Sequence, residues 1–371
     1  MRTVTLLLLL TACSETNRVP STTPDSGAPS PSTSSTSPAP APTEPTGELL
    51  AFTGSADGKI RVYAVDDAGA WTLRRASDAG KDPSFLAIDA AHRRVIAVDE
   101  SASRVRSFAL DATGALTELG SQPSGGSGPA HVSIDRDGRH AFVANYGGGT
   151  VAVFPIADDG TLAPASDVVA SGAKSHWAGV NPGGTHLFVP ALGVDAIRQY
   201  ALSNGKLIAN GSAALANGAG PRHLVFALDE RWAWSIDELA VTVTTFAVAN
   251  GQLTARSSVS ALPAGAGPST GAEIALHPNG KVLYASTRGF DSIAVFTIET
   301  DGTVTRRANV ETGAPRPRSF ALDPAGTRLY AGNESSGEVV SFPIDDRGDL
   351  GTRTRTTDVP SPKFVGLARV R

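Results

Sequence analysis

From His131 onward the chain alternates short apolar runs with polar, glycine-rich breaks: HVSI, DRDG, RHAFVANY, GGG, TVAVFPI, ADDG, TLAPASDV. The runs are rich in Val, Ile and Phe, and Gly, Asp and Asn interrupt them about every 8–10 residues, the chemistry of hairpin turns. Four strands fit into this unit, here lettered a to d. The opening apolar motif then recurs. Its fourth residue is Ile88 in FLAID, Ile134 in HVSID, Val180 in WAGVN, Phe226 in HLVFA, Leu276 in EIALH, Leu322 in SFALD and Leu367 in FVGLA, at intervals of 46, 46, 46, 50, 46 and 45 residues. A period of this size, made of short strands with no helical segment, predicts an all-β, seven-bladed β-propeller. Each blade has four antiparallel strands, a innermost and d outermost.

The last copy, KFVGLARVR, has room only for strand a, whereas LLAFTGSADG and KIRVYAV near residue 50 read as b and c. The C-terminal strand is therefore expected to complete the first blade and close the ring, leaving no central sheet edge unpaired.

Of 371 residues, 18% are charged, and the net charge is −4. Neither a nucleic-acid groove nor a polybasic membrane patch is indicated. There is no P-loop and no dinucleotide fingerprint, so no cofactor is expected, and the chain is expected to be a monomer. The single cysteine changes the picture by its position. Met1-Arg2, the apolar run Val4 to Leu10 and then Leu10-Thr11-Ala12-Cys13 resemble a bacterial lipobox, whose cysteine is lipidated. The run is too short to span a bilayer, which favours a removable signal over an anchor helix. Residues 14–47 are mostly Ser, Thr, Pro and Ala, with Val19 as the only branched aliphatic. They cannot bury enough apolar surface to fold, and at ~3 Å per residue they form a tether of up to about 100 Å. The expected organisation is a signal at 1–12, lipidated Cys13 with a linker at 13–47, and the propeller at 48–371. The expected location is the cell envelope, where the membrane is reached through the lipid alone.

Alternating strands place the a–b and c–d turns on one face and the b–c and d–a loops on the other. The first set is turn-forming only: Asp135-Arg136-Asp137-Gly138, Asn181-Pro182-Gly183-Gly184, Asp158-Asp159-Gly160. The second carries chemistry. Its d–a loops hold His131, His176, Arg222-His223, Glu273 and Arg318, and its b–c loops hold Asn145, Glu238, Arg288 and Glu334. Because strand a begins nearest the axis, these groups converge on one mouth of the central channel, which is expected to be a solvated funnel.

His131, His176 and His223 open strand a in three consecutive repeats. They read as functional groups, as channel-plugging residues with satisfied hydrogen bonds, or as a three-histidine metal site; sequence-local ligand pairs are missing, and no metal is expected. His92, His140, His186 and His277 read as sheet or turn residues, His277 without consequence for function or stability. Arg222 and Glu238 are 16 residues apart. Two strands and a tight turn take about 15 residues, so the pair returns to the same face of one blade, with Arg288 in the next. The pair is either a loop-holding bridge or an anion clamp beside an acid or base, since arginine offers a bidentate fork to carboxylate or phosphate.

The stretches GPAHVSIDRDGRHAFVANYGGGTVAVF (128–154), GPRHLVF followed by DEL, AEIALHPNGKVLYASTRGFDSIAVF (272–296) and PRSFALDPAGTRLYAGNESSGEVVSF resemble the seven-bladed lactonase family. That family includes propeller-type bacterial 6-phosphogluconolactonases and fungal carboxy-cis,cis-muconate cyclases. The resemblance implies catalytic roles for His176, Arg222, Glu238 and Arg288; His131, His223, Asn145, Glu273 and Arg318, gathered on the same face, are expected to contact the substrate. The chain departs from the family pattern at Lys174, where a histidine is common, and at Ala191, where an aspartate is usual.

Three readings follow. The first is a hydrolase that opens a small anionic or sugar-derived lactone, with His176 or Glu238 as base and the arginines on the oxyanion. The second is a non-catalytic binding propeller, and the third a muconate-type cycloisomerase. Retention of all four catalytic positions favours the enzyme.

Overall fold

The structure, a computed structural model, describes residues 47–371. The lipobox with Cys13 and the linker fall outside the described residues. The rest forms seven four-stranded antiparallel sheets. Six blades run a to d in chain order, with strand a at Phe85–Asp89, Pro129–Ile134, Gly179–Val180, Pro221–Phe226, Thr270–Leu276 and Pro317–Leu322. They are numbered one to six. The seventh is composite, as the sequence predicts: Pro362–Val370 pairs with Glu48–Ser55, with Ala51 opposite Leu367. Among the described residues the only helical turns are two three-residue 3₁₀ segments, Glu100–Ala102 and Leu192–Val194, both in b–c connections.

Strands b and c are covered on both faces by neighbouring blades, which explains why they read as unbroken apolar runs. Ile96, Val98 and Val105 of blade one pack against Val132, Ala141, Val143, Ala152 and Phe154 of blade two in one continuous cluster. Side chains of this kind each contribute about 1.5–3 kcal/mol when fully buried, so the blade interfaces dominate the stability of the ring. The turns are built as the sequence requires. Asp135 Oδ1 accepts the backbone N–H groups of Arg139 and His140, and Gly138 takes the left-handed φ of 67°.

One local irregularity positions the site. Where strand a begins, its register against strand b slips by one residue. Pro129 faces Asn145 but His131 faces Ala144; Pro221 faces Asp237 but His223 faces Ile236; Pro317 faces Asn333 but Ser319 faces Gly332. Blade seven slips at Lys363, and blade five between Gly271 and Ile274. These are β-bulges, which re-aim consecutive side chains. In blades two, four and six the residue two places before the extra one is left-handed, with φ 58° at Gly128, 63° at Gly220 and 64° at Arg316; Lys174, before His176, takes the same conformation without being glycine.

Candidate active site

The bulges bring Arg222-His223, Ala272-Glu273 and Arg318-Ser319 to the channel mouth, with His131 from blade two, and His176-Trp177 joins them from the segment before strand a of blade three, where Ser175 bridges Ala191. The inner layer is a plug of rings. His223 lies 5.1 Å from His176 and 5.6 Å from His131 between ring centroids, and His131 lies 4.2 Å from Phe85 and 5.3 Å from Trp177. Phe85 in turn meets Phe364 at 4.8 Å, so strand a of five blades converges on the axis.

All three histidines are buried, and burial is the main reason each is pushed well below the ordinary 6.5. The Arg222 charge adds to this in each case, and at His176 and His223 so does that of Arg318. They are neutral at physiological pH. His131 Nδ1 accepts the N–H of Ala178 at 3.3 Å. His223 Nε2 faces Arg222 Nη1 at 3.2 Å, and its Nδ1 faces Glu273 Oε1 at 2.7 Å. His176 differs. Its Nδ1 has no hydrogen-bond partner among the described residues, and the ring stands edge-on to Tyr146 at 5.6 Å.

Above the plug lies a clamp. Glu238 Oε2 is 3.1 Å from both Arg222 Nε and Arg288 Nη2. Arg222 Nη1 also donates to the Ala272 carbonyl, and Arg288 Nη2 to that of Gly271 at 2.9 Å. Burial, with the Arg288 charge second, lowers Arg222 to about 9, still protonated at neutral pH. Burial raises Glu273 to about 7, against the pull of Arg222. Arg318 is the least engaged cation, its carboxylate contacts being 3.8 Å to Glu334 and 4.0 Å to Glu100. Three arginines and two glutamates, Glu238 and Glu273, thus meet at the mouth, with Glu334 and Glu100 at its rim beside Arg318.

The structure therefore assembles His131, His176, Arg222, His223, Glu238, Glu273, Arg288 and Arg318 at one mouth. It does not bring Asn145 to them: that amide donates to the Ser124 carbonyl and the Thr150 hydroxyl, at 2.9 and 3.1 Å, and holds its own loop. The expectation of a solvated funnel is corrected. Arg222 and His223 are each only 2% exposed, because seven inner strands crowd their first residues around a narrow axis. His277 is corrected too. It is buried, its Nε2 bonds the Gly326 carbonyl of the next blade at 2.8 Å, and its Nδ1 accepts the Asn279 N–H, so it ties two blades together. Where the family aspartate is replaced by Ala191, backbone bonds from Leu192 and Gly193 to Lys174 and Ala173 hold the loop. Among the described residues no group of three or more His, Cys, Asp or Glu is arranged to hold a metal ion. The His223 lone pair that such an ion would need already receives Arg222.

Sequence reading missed Phe85, Trp177 and Phe364. The signal was present: each stands three residues before the motif's fourth position, the place His131 and His223 hold in their own repeats. Tyr146 was passed over beside Asn145. It stands twelve residues after the motif's fourth position, as Glu238 and Arg288 do in their own repeats.

A family model described as "Lactonase, 7-bladed beta-propeller" matches residues 43–367. Among curated relatives, a 6-phosphogluconolactonase of Formosa agariphila is 35% identical over 130 residues, covering 34% of this chain and 37% of the relative. One of Serratia proteamaculans is 30% identical over 153 residues, covering 40% and 46%. The chain thus spans less than half the length of the curated relatives it matches. Solved structures align over most of the chain. A putative 6-phosphogluconolactonase from Bacteroides fragilis gives a TM-score of 0.80 at 29% identity, covering 88% of this chain and 100% of that one. A periplasmic gluconolactonase of Pseudomonas aeruginosa gives 0.82 at 27%, covering 87% and 100%.

Proposed function

The chain belongs to the seven-bladed β-propeller lactonase family, and from that premise we propose that it hydrolyses a lactone of the sugar-acid type at the mouth of its channel. The observation that carries the reading is Glu238 held at 3.1 Å from both Arg222 and Arg288, with neutral His176 nearby. Water adds to the lactone carbonyl while His176 takes its proton. The carbonyl oxygen becomes an oxyanion facing Arg222 and Arg288, which Glu238 holds in place beforehand. The intermediate collapses, the ring C–O bond breaks, and the imidazolium returns the proton to the departing ring oxygen. The product is a hydroxy acid, whose carboxyl group releases the second water proton to solvent and remains as the carboxylate opposite the arginines. Arg318, whose carboxylate contacts are the longest of the three arginines, meets an anionic substituent or a hydroxyl.

Neutral imidazole suits this role because it is a base without first losing a proton, and burial keeps it so below pH 6.5. His176→Ala should lower kcat by about 10²–10⁴, the usual worth of a general base. A His176→Ala protein with the parent's kcat would remove that residue from the mechanism.

The same proposal places the enzyme outside the cytoplasm, lipid-anchored through Cys13. The relative named a periplasmic gluconolactonase supports a lactone met in the envelope. An unphosphorylated substrate suits that setting better than a sugar phosphate.

A further inference from the structure

Glu273 and His223 sit in adjacent blades beneath the clamp, with side chains only 12% and 3% exposed. The sequence marks both as substrate-binding. We infer that they instead form a positioning pair for Arg222, fixing the one imidazole tautomer that can receive a guanidinium N–H and so setting how Arg222 faces the reacting carbonyl.

The hydrogen-bond chain leaves no other assignment. Arginine nitrogens only donate. His223 Nε2, 3.2 Å from Arg222 Nη1, must therefore present its lone pair. The single proton of the neutral ring is then on Nδ1, where it donates to Glu273 Oε1 at 2.7 Å. Glu273 is itself fixed: Oε1 accepts the Ile274 N–H at 3.1 Å, and its own N–H donates to Ser286 Oγ at 3.0 Å. The same bulge supplies the Ala272 carbonyl that receives Arg222 Nη1. Arg222 is thus held by blade five from below, by His223 beside it, and by Glu238 from its own blade. The charged and titratable groups acting on Glu273 are Arg222, Arg318 and His223. If Glu273 lost its acceptor, the ring could carry its proton on Nε2 and would then repel the Arg222 N–H.

The catalytic consequence rests on the hydrolytic reading, whereas the tautomer does not, and the test separates them. ¹⁵N NMR of the purified, histidine-labelled protein should show His223 neutral with its proton on Nδ1. Glu273→Gln keeps an acceptor and should retain both this tautomer and most of the turnover. Glu273→Ala should lose the tautomer and lower kcat about 10- to 100-fold, the worth of a hydrogen bond to a charged group. Combined with Arg222→Ala, it should cost nothing further. A proton on Nε2 in the parent, parental kcat in Glu273→Ala, or a fully additive double mutant would each overturn the inference. A parent that turns over no lactone yet shows the Nδ1 tautomer, lost in Glu273→Ala and kept in Glu273→Gln, defeats the hydrolytic reading and leaves the positioning pair standing.

Discussion

Replacing Glu238 with glutamine removes the one negative charge between two buried arginines while keeping the side chain's shape. Arg222 Nε and Arg288 Nη2, each 3.1 Å from the same carboxylate oxygen, would then face one another uncompensated. Breaking one side of a buried ion pair costs about 3–5 kcal/mol. Glu238 is 19% exposed, so water screens part of this and the lower figure, about 3 kcal/mol, applies. At about 2.1 cal/mol/K of unfolding entropy per residue, the roughly 325 residues of the ring lose about 4 °C of Tm for that change. Turnover should fall by about 10² or more, because the arginines are no longer held toward the oxyanion. The decisive comparison adds Arg288→Met. In the double variant the repulsion is gone, so Tm should recover most of its loss, while turnover should not. Thermal melts and initial rates on the four proteins complete the cycle. Parental Tm in Glu238→Gln, or a double variant less stable than either single one, would refute the electrostatic argument.

Acid should destabilise the ring in the same assay. His131, His176 and His223 have folded pKa values below their unfolded ones, so the unfolded chain binds more protons below pH 6.5 and stability falls as pH falls through that range. Glu273 and Asp237, raised by burial to about 7 and about 6, act in the opposite sense, and three groups against two leave a net loss of stability as pH falls by one unit from 6 to 5. A Tm that rises over that unit would show that the histidines are not buried and neutral. Cys13→Ser should release the protein from membranes without changing its melt, and a variant still membrane-bound after a high-salt wash would refute lipidation at that residue.

The architecture was legible because it is repetitive. A motif returning every 45–50 residues carries the blade count, and FVGLA without the rest of its repeat carries the closure later seen in Ala51 opposite Leu367. The Arg222–Glu238 contact was legible for the same reason, since two strands and a tight turn have a fixed length. The bulges were not, because an apolar pattern records which face a residue occupies and not a one-residue slip of register. Burial of the mouth was also hidden, since it arises from seven distant segments meeting at one axis. The bonds of Asn145 to the Ser124 carbonyl and of His277 to the Gly326 carbonyl were hidden in a related way, because these partners lie 21 and 49 residues away in the chain. Phe85 and Phe364 belong both to the aromatic plug and to an apolar cluster between blades, so composition alone does not set them apart.

The central claim is that this mouth opens lactones, and turnover of a lactone panel by the purified protein tests it most directly. The panel should pair aldonolactones with their 6-phosphates, with spontaneous hydrolysis subtracted at each pH. The account predicts catalysed opening of an unphosphorylated aldonolactone, lost in Arg222→Ala. Hydrolysis no faster than the blank across the panel, with an anionic ligand bound by the parent and released by Arg222→Ala, would contradict it and leave a binding propeller in its place.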